Sequence, residues 1–229
     1  MECRDDGHTD SKGTRMSTTP ARIIEVFADI WCPFTHVGLR AIDEQRRQTD
    51  RTDMAIRVRA WPLELVNGAP LDPWVTKEHA EDLRAQVAPD LFRHLDVGRF
   101  PRSTLDALAL ANRAYRSGLE VGERVSFALR DRLFEQGCDV SDLATLEHLA
   151  VEYGIDIPDE SDHADVVAEW HAGVRRGVLG SPHFFCGGSD VFCPSLDITK
   201  DPDRGVSIVR DTSRLNEFLK RCLAEPGPT

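Results

Sequence analysis

No apolar run in this chain approaches the roughly 20 residues that a helix needs to cross a bilayer, so the sequence offers no membrane span. A basic stripe is missing too. The chain carries 39 acidic against 28 basic side chains, a formal net charge of −11, with the two signs interleaved. That balance argues against nucleic acid and against anionic membranes as partners. The first 19 residues have no apolar core of a secretory signal. Their Asp, Gly, Ser, Thr and Lys content reads as a disordered tail over 1–20, with Met16 as an alternative start. The six cysteines (Cys3, Cys32, Cys138, Cys186, Cys193 and Cys222) follow no repeating spacing, so without a signal they are expected to be mostly reduced, in a cytoplasmic protein. His183, Cys186 and Cys193 come nearest to a metal-ligand set, but they lack a close pair spacing, and no metal is expected. Internal repeats and low-complexity segments are absent as well.

What is present is enough for a substantial core. The 229 residues, 41% hydrophobic and 29% charged, suit one large domain or a domain with a sizeable insertion. The near-continuous apolar run over 22–28 has the length of a buried strand. It leads to Trp31-Cys32-Pro33-Phe34-Thr35-His36. Proline suits the first helical position, so the spacing predicts a helix over 33–47 with Cys32 at its N-terminus. Unpaired N–H groups and the helix dipole would then face the sulfur, a setting that lowers a thiol pKa and yields a reactive thiolate. Alternation over 54–61, with Ile56, Val58 and Ala60 on one face and Arg57 and Arg59 on the other, predicts a second strand. Strand, helix and strand make a βαβ unit with parallel strands.

After Pro62 the chain reads as loop from 67 to 74, then as helices over 76–87, 103–117, 120–136 and 142–153, and a further one over 162–176. A short aromatic strand follows Ser181-Pro182. With Gly187-Gly188-Ser189-Asp190 as the turn, a paired strand is expected over 191–193, and a last helix runs to about 223. On that register Cys186 opposes Val191 and lies diagonal to Cys193, and it sits ~13 Å along its strand from the cysteine–proline site. The order is β-α-β, helices, α-β-β-α. It predicts an α/β thioredoxin fold with an inserted all-helical domain: 21–62 and 163–224 form the thioredoxin part and 63–162 the insertion.

Two motifs carry a family resemblance over nearly the whole chain beyond the tail. Trp-Cys-Pro-Phe-Thr-His-Val-Gly at 31–38 resembles the active-site segment of the DsbA-like thioredoxin superfamily, in particular its FrnE-like cytoplasmic branch. Gly-Ser-Pro-His-Phe-Phe at 180–185 resembles that family's cis-proline loop. Related branches are the kappa-class glutathione transferases and the 2-hydroxychromene-2-carboxylate isomerases. The departure is Thr35, which stands where the FrnE-like motif has its second cysteine.

The resemblance implies a thiol–disulfide oxidoreductase with Cys32 as its only nucleophile, and a cis Ser181–Pro182 bond packed against that sulfur. A mixed disulfide on Cys32 would be resolved from outside by glutathione or mycothiol as co-substrate, or by another cysteine of the chain, Cys186 being too distant. Thr35 could donate a hydrogen bond to the thiolate, and His36, four residues on, could face the sulfur or solvent. Asp29 is expected to hold the site loop. Pro33, Phe34, Ser181, Pro182, Trp31 and Trp61 are candidates to line a substrate cleft, with Trp74 and Phe184 beside them. No tightly bound cofactor is expected, and the partners would be a small thiol or a protein disulfide, acting on a monomer or homodimer. Two other readings stay open: a thiol-dependent transferase or isomerase of the kappa or hydroxychromene type, and a non-catalytic binding or chaperone-like protein.

Overall fold

The computed structural model describes residues 22–51, 53–201 and 205–224; the expected N-terminal tail, Met16 and the last five residues lie outside them. Strand β1 (Arg22–Ala28) is followed by helix α1 (Pro33–Gln48) and strand β2 (Met54–Ala60). Strand β3 (His183–Cys186) and strand β4 (Ser189–Phe192) come late in the chain. The sheet runs β2-β1-β3-β4, with β1 and β2 parallel and the other two pairs antiparallel. Both faces of the sheet carry core residues. Ile24, Val26 and Ala28 of β1 join Leu39 and Ile42 of α1 and Leu215 and Phe218 of the last helix, α8 (Thr212–Ala224). Phe27 faces the other way, into a small cluster with Trp61 and Phe185.

Between β2 and β3 the chain is helical: α2 (Leu63–Asn67), α3 (Pro73–Gln86), α4 (Leu105–Ser117), α5 (Leu119–Phe134), α6 (Leu143–Tyr153) and α7 (Glu160–Arg176). The expected loop over 67–74 is shorter, because Asp72 caps α3 by accepting from the Trp74 N–H and Pro73 takes the first helical position. Three features were not anticipated: α2, too short to show a period, a single 3-10 turn at Val97–Arg99, and a separate antiparallel hairpin of β5 (Leu196–Asp201) and β6 (Gly205–Arg210).

The helical layer is tied to β2 by side chains that cap its open edge. Along this edge strand, the outward N–H groups of Ile56, Val58 and Ala60 donate to Glu123 Oε2, Tyr115 Oη and Glu169 Oε2 at 2.8, 2.8 and 2.7 Å. These acceptors come from α5, α4 and α7. An edge strand would otherwise present unpaired donors to another chain. Here three helices consume them, and that fixes the helices over the end of the sheet where β1 leads to Cys32.

The β3–β4 register corrects the expected one. Gly187, at φ 60°, and Gly188 alone make the turn, so Cys186 opposes Ser189 and Phe184 opposes Val191. The expectation that the cysteines are mostly reduced is also corrected. Cys186 is bonded to Cys222 of α8, with Cα atoms 5.2 Å apart, and Cys138 is disulfide-bonded as well. Thirty-six residues separate Cys186 from Cys222, and only the packing of α8 on the sheet brings them within disulfide range. Among the described residues, Cys32 and Cys193 are free, and both are buried.

Candidate active site

Cys32 is the N-cap of α1 with Pro33 at the first helical position, and its carbonyl accepts from the N–H groups of Thr35 and His36 at 3.1 and 3.2 Å. The Ser181–Pro182 peptide bond is cis. Ser181 meets Cys32 directly: the thiol donates to the Ser181 carbonyl at 3.1 Å. The Ser181 hydroxyl accepts from the Asp29 N–H at 2.9 Å and pairs with the Thr35 hydroxyl at 2.8 Å. The paired hydroxyls and the Thr35 N–H lie on the side of the sulfur that favours its thiolate form. The site therefore holds a protonated thiol through a carbonyl and places a hydroxyl pair and an amide N–H where they favour a thiolate.

Electrostatics run against the expectation from the helix terminus alone. Burial pushes the Cys32 thiol above the ordinary cysteine value, against the hydrogen bonds from Thr35 and Ser181, and the Asp29 carboxylate adds to the rise. Cys32 is only 4% exposed, so the cost of a desolvated anion outweighs the dipole.

Asp29 organises the ground beneath the site. It is fully buried, and burial raises its own pKa. One carboxylate oxygen accepts from the Trp31 N–H and from the Thr104 hydroxyl, at 3.3 and 2.8 Å; the other accepts from the Leu63 N–H. The carboxylate thus pins the starts of α2 and α4 to the loop that carries Cys32. Arg130 of α5 lies below, 1% exposed, donating to the Asp29 carbonyl at 3.2 Å and to the carbonyl and hydroxyl of Ser126 at 2.7 and 2.8 Å. Burial pulls its pKa down to about 10, opposed by Asp29 and, less strongly, by Cys32.

Three candidates fall elsewhere. His36 faces neither the sulfur nor solvent: it is 2% exposed, wedged between Phe92 and Phe134, and bonded to Glu135 at 2.8 Å. Its place on the inner face of α1, toward α5, overrides its four-residue spacing from Cys32. Trp31 is fully buried against Phe100, and Trp61 packs edge-on to Phe27 on the far side of the sheet, so neither lines a cleft. Of the other aromatics, Phe184 is core and Trp74 is exposed, whereas Phe34 is half-buried beside His79 at the start of α1. Pro33 and Pro182 are buried at the site, and Ser181 is half-buried. Cys186 is engaged in its disulfide and His183 in a bond to Asp190 at 3.0 Å. No group of three potential metal ligands occurs among the described residues, and none of their helices is long and apolar enough to cross a membrane.

Sequence reasoning missed Arg130, Thr104 and the hydroxyl of Ser181. Arg130 does carry a signal, a cation four residues from Ser126 and next to Leu129 on the face that α5 buries through Val125, Leu129 and Leu133. Thr104 and Ser181 are ordinary loop residues until the fold joins them to Asp29.

Residues 23–200 match the DSBA-like thioredoxin domain, and the chain belongs to that family. Its fold is shared with a probable DsbA oxidoreductase from Streptomyces coelicolor, at 22% identity and a TM-score of 0.59, over 91% of this chain and 92% of that one. The cytosolic disulfide reductase DsbM from Pseudomonas aeruginosa, solved also with GSH, aligns at 14% identity and a TM-score of 0.54, over 88% and 98% of the two chains. A 2-hydroxychromene-2-carboxylate isomerase aligns at 15% identity and a TM-score of 0.57, over 74% of this chain and 88% of that one. Comparison with curated protein sequences gives no match.

Proposed function

We propose that the protein is a thiol–disulfide oxidoreductase that attacks disulfides through Cys32 and is returned to its thiol form by a low-molecular-weight thiol such as glutathione or mycothiol. The observation that carries this reading is the Cys32–Ser181–Thr35 arrangement: a free cysteine at a helix N-terminus whose thiol donates to the Ser181 carbonyl, beside the paired hydroxyls of Ser181 and Thr35. The Cys32 thiolate attacks one sulfur of a disulfide, the other leaves as a thiolate, and a mixed disulfide remains on Cys32. Thr35 and Ser181 stabilise the attacking anion. Ser181 also has a half-buried position beside the sulfur, from which its main chain can pair with an extended thiol-bearing substrate.

The proposed setting is the cytoplasm, where such thiols are plentiful. Cys186 and Cys222 are 2% and 1% exposed, so a small thiol has no direct path to their disulfide. The test is intact-mass detection of a single adduct after exposure to oxidised glutathione, scanned across pH, with Cys32→Ser as control. An adduct that depends on Cys32 and forms faster as pH rises is the expected result. Absence of an adduct on a folded protein refutes the reading and leaves thiol binding without attack, as in a transferase or isomerase, or a non-catalytic cleft.

A further inference from the structure

The two free cysteines flank one dipeptide. Cys32 reaches the Ser181 carbonyl through its thiol at 3.1 Å, and Cys193 reaches the Pro182 carbonyl through its N–H at 3.0 Å. The β3–β4 register extends to this pair: His183 faces Phe192, so Pro182 faces Cys193. Cys193 begins the turn between β4 and β5 with a φ of 44°, a left-handed conformation uncommon for a residue with a side chain. Its side chain is 7% exposed and belongs to the same apolar cluster as Trp31, the residue before Cys32, and Val37 of α1.

We propose that Cys193 is the resolving thiol of this enzyme, taking the part that Thr35 cannot play one turn after Cys32. The proposal rests on Cys32 being a redox nucleophile. The Cys193 thiolate attacks the Cys32 sulfur of the mixed disulfide. The bond between Cys32 and the substrate sulfur breaks, the substrate leaves as a thiolate that takes up a proton, and a Cys32–Cys193 disulfide forms. Two molecules of a low-molecular-weight thiol then reduce that disulfide. The first forms a mixed disulfide with one cysteine and frees the other; the second completes the release and leaves the small thiol as its own disulfide.

Electrostatics suit this order of events. Burial pushes the Cys193 thiol up to about 12, and negative charge on Cys32 contributes to the rise. Cys193 is therefore held as a thiol chiefly by burial, and more firmly while Cys32 is a thiolate. Once Cys32 is capped by substrate its charge is gone, and that part of the barrier to deprotonating Cys193 goes with it. β3 is held between β1 and β4, whereas Cys193 lies in the turn after β4.

The experiment exposes wild type, Cys193→Ser, Cys193→Ala and Cys32→Ser to one equivalent of oxidised glutathione and follows intact mass over time. Free glutathione is counted, and peptide mapping without reduction identifies the bonds. In wild type the adduct is expected to decay to a species two hydrogens lighter than the starting protein, with a peptide linking Cys32 to Cys193. In both Cys193 variants the adduct should persist at least tenfold longer. A persistent adduct in wild type, matching the Cys193 variants, overturns this proposal while leaving Cys32 as the nucleophile. If no protein except a misfolded one forms an adduct, the oxidoreductase reading itself fails. Two Cys193 substitutions guard against a folding defect in either.

Discussion

Replacing Thr35 with valine keeps the shape of the side chain and removes one hydroxyl from the Cys32 sulfur. The backbone N–H of residue 35 remains, and the Ser181 hydroxyl, freed from its 2.8 Å partner, stays beside the sulfur. A hydrogen bond to a charged group contributes about 1.5–3 kcal/mol. At ~1.4 kcal/mol per decade, the thiolate population at neutral pH should fall roughly ten- to a hundredfold. A more basic thiolate is also a better nucleophile, with a Brønsted coefficient of about 0.4–0.5, which recovers nearly half of that loss on a logarithmic scale. The net expectation is a roughly four- to fifteenfold slower reaction with oxidised glutathione at pH 7. Stopped-flow or quenched intact-mass kinetics would measure it, with thiolate absorbance in the ultraviolet followed against pH in the same samples. Thr35→Ser should restore most of the rate, since it returns the hydroxyl. A valine variant with native circular dichroism and a rate within twofold of wild type would refute the view that Thr35 holds the charge on Cys32.

Because burial raises the Cys32 pKa above the ordinary cysteine value, adduct formation should keep climbing with pH through the neutral range and beyond, with no plateau near pH 7. Asp29→Asn removes the carboxylate that adds to this rise, so the profile should move to lower pH; an unmoved profile in a folded variant would show that Asp29 acts only through structure. The same raised Asp29 pKa has a consequence for stability. The carboxyl is favoured in its neutral form in the folded state, so its contribution is fully present below pH 3.8 and is lost as pH rises through the higher folded value. Urea unfolding of wild type and Asp29→Asn across that window should show a steeper fall for wild type. Cys186→Ala with Cys222→Ala opens a loop of 36 residues, worth about 3–4 kcal/mol on loop-closure entropy. Under reductant, wild type and the double variant should melt alike, because the disulfide of Cys138 is common to both. Tyr115→Phe leaves the Val58 N–H without its acceptor and should cost about 1–3 kcal/mol; no measurable loss would show that this edge donor finds water instead.

Much of the architecture was legible in local pattern. A strand-length apolar run, a cysteine before a proline, and an alternating second strand demand a βαβ unit, because each signal is a property of neighbouring residues. Asp159 shows the limit of such reading. It starts α7 with a capping box at Asp162, so the helix begins two residues before the expected 162. The turn at Gly187-Gly188 shows it again: two glycines or four turn residues read alike in sequence, and the choice slides every cross-strand partner, which is why Cys186 was set against Val191.

The candidate site divides along the same line. Cys32 as a helix N-cap with Pro33 behind it follows from the sequence, since chain geometry at a helix start depends on a few adjacent residues. Only the tertiary structure decides whether that thiol is acidic. Its pKa depends on how deeply the sulfur is buried and on Asp29, both set by where α2, α4 and α5 close over the loop. The same holds for His36, sent toward Glu135 by the face of α1 that packs on α5, and for Trp31 and Trp61, whose apolar rings fit a cleft or a core equally well on paper. It holds most of all for the cysteines. Pairs 36 and 161 residues apart in the chain, Cys186 with Cys222 and Cys32 with Cys193, have no local signal, because what relates them is the packing of β3 against a helix and the next strand.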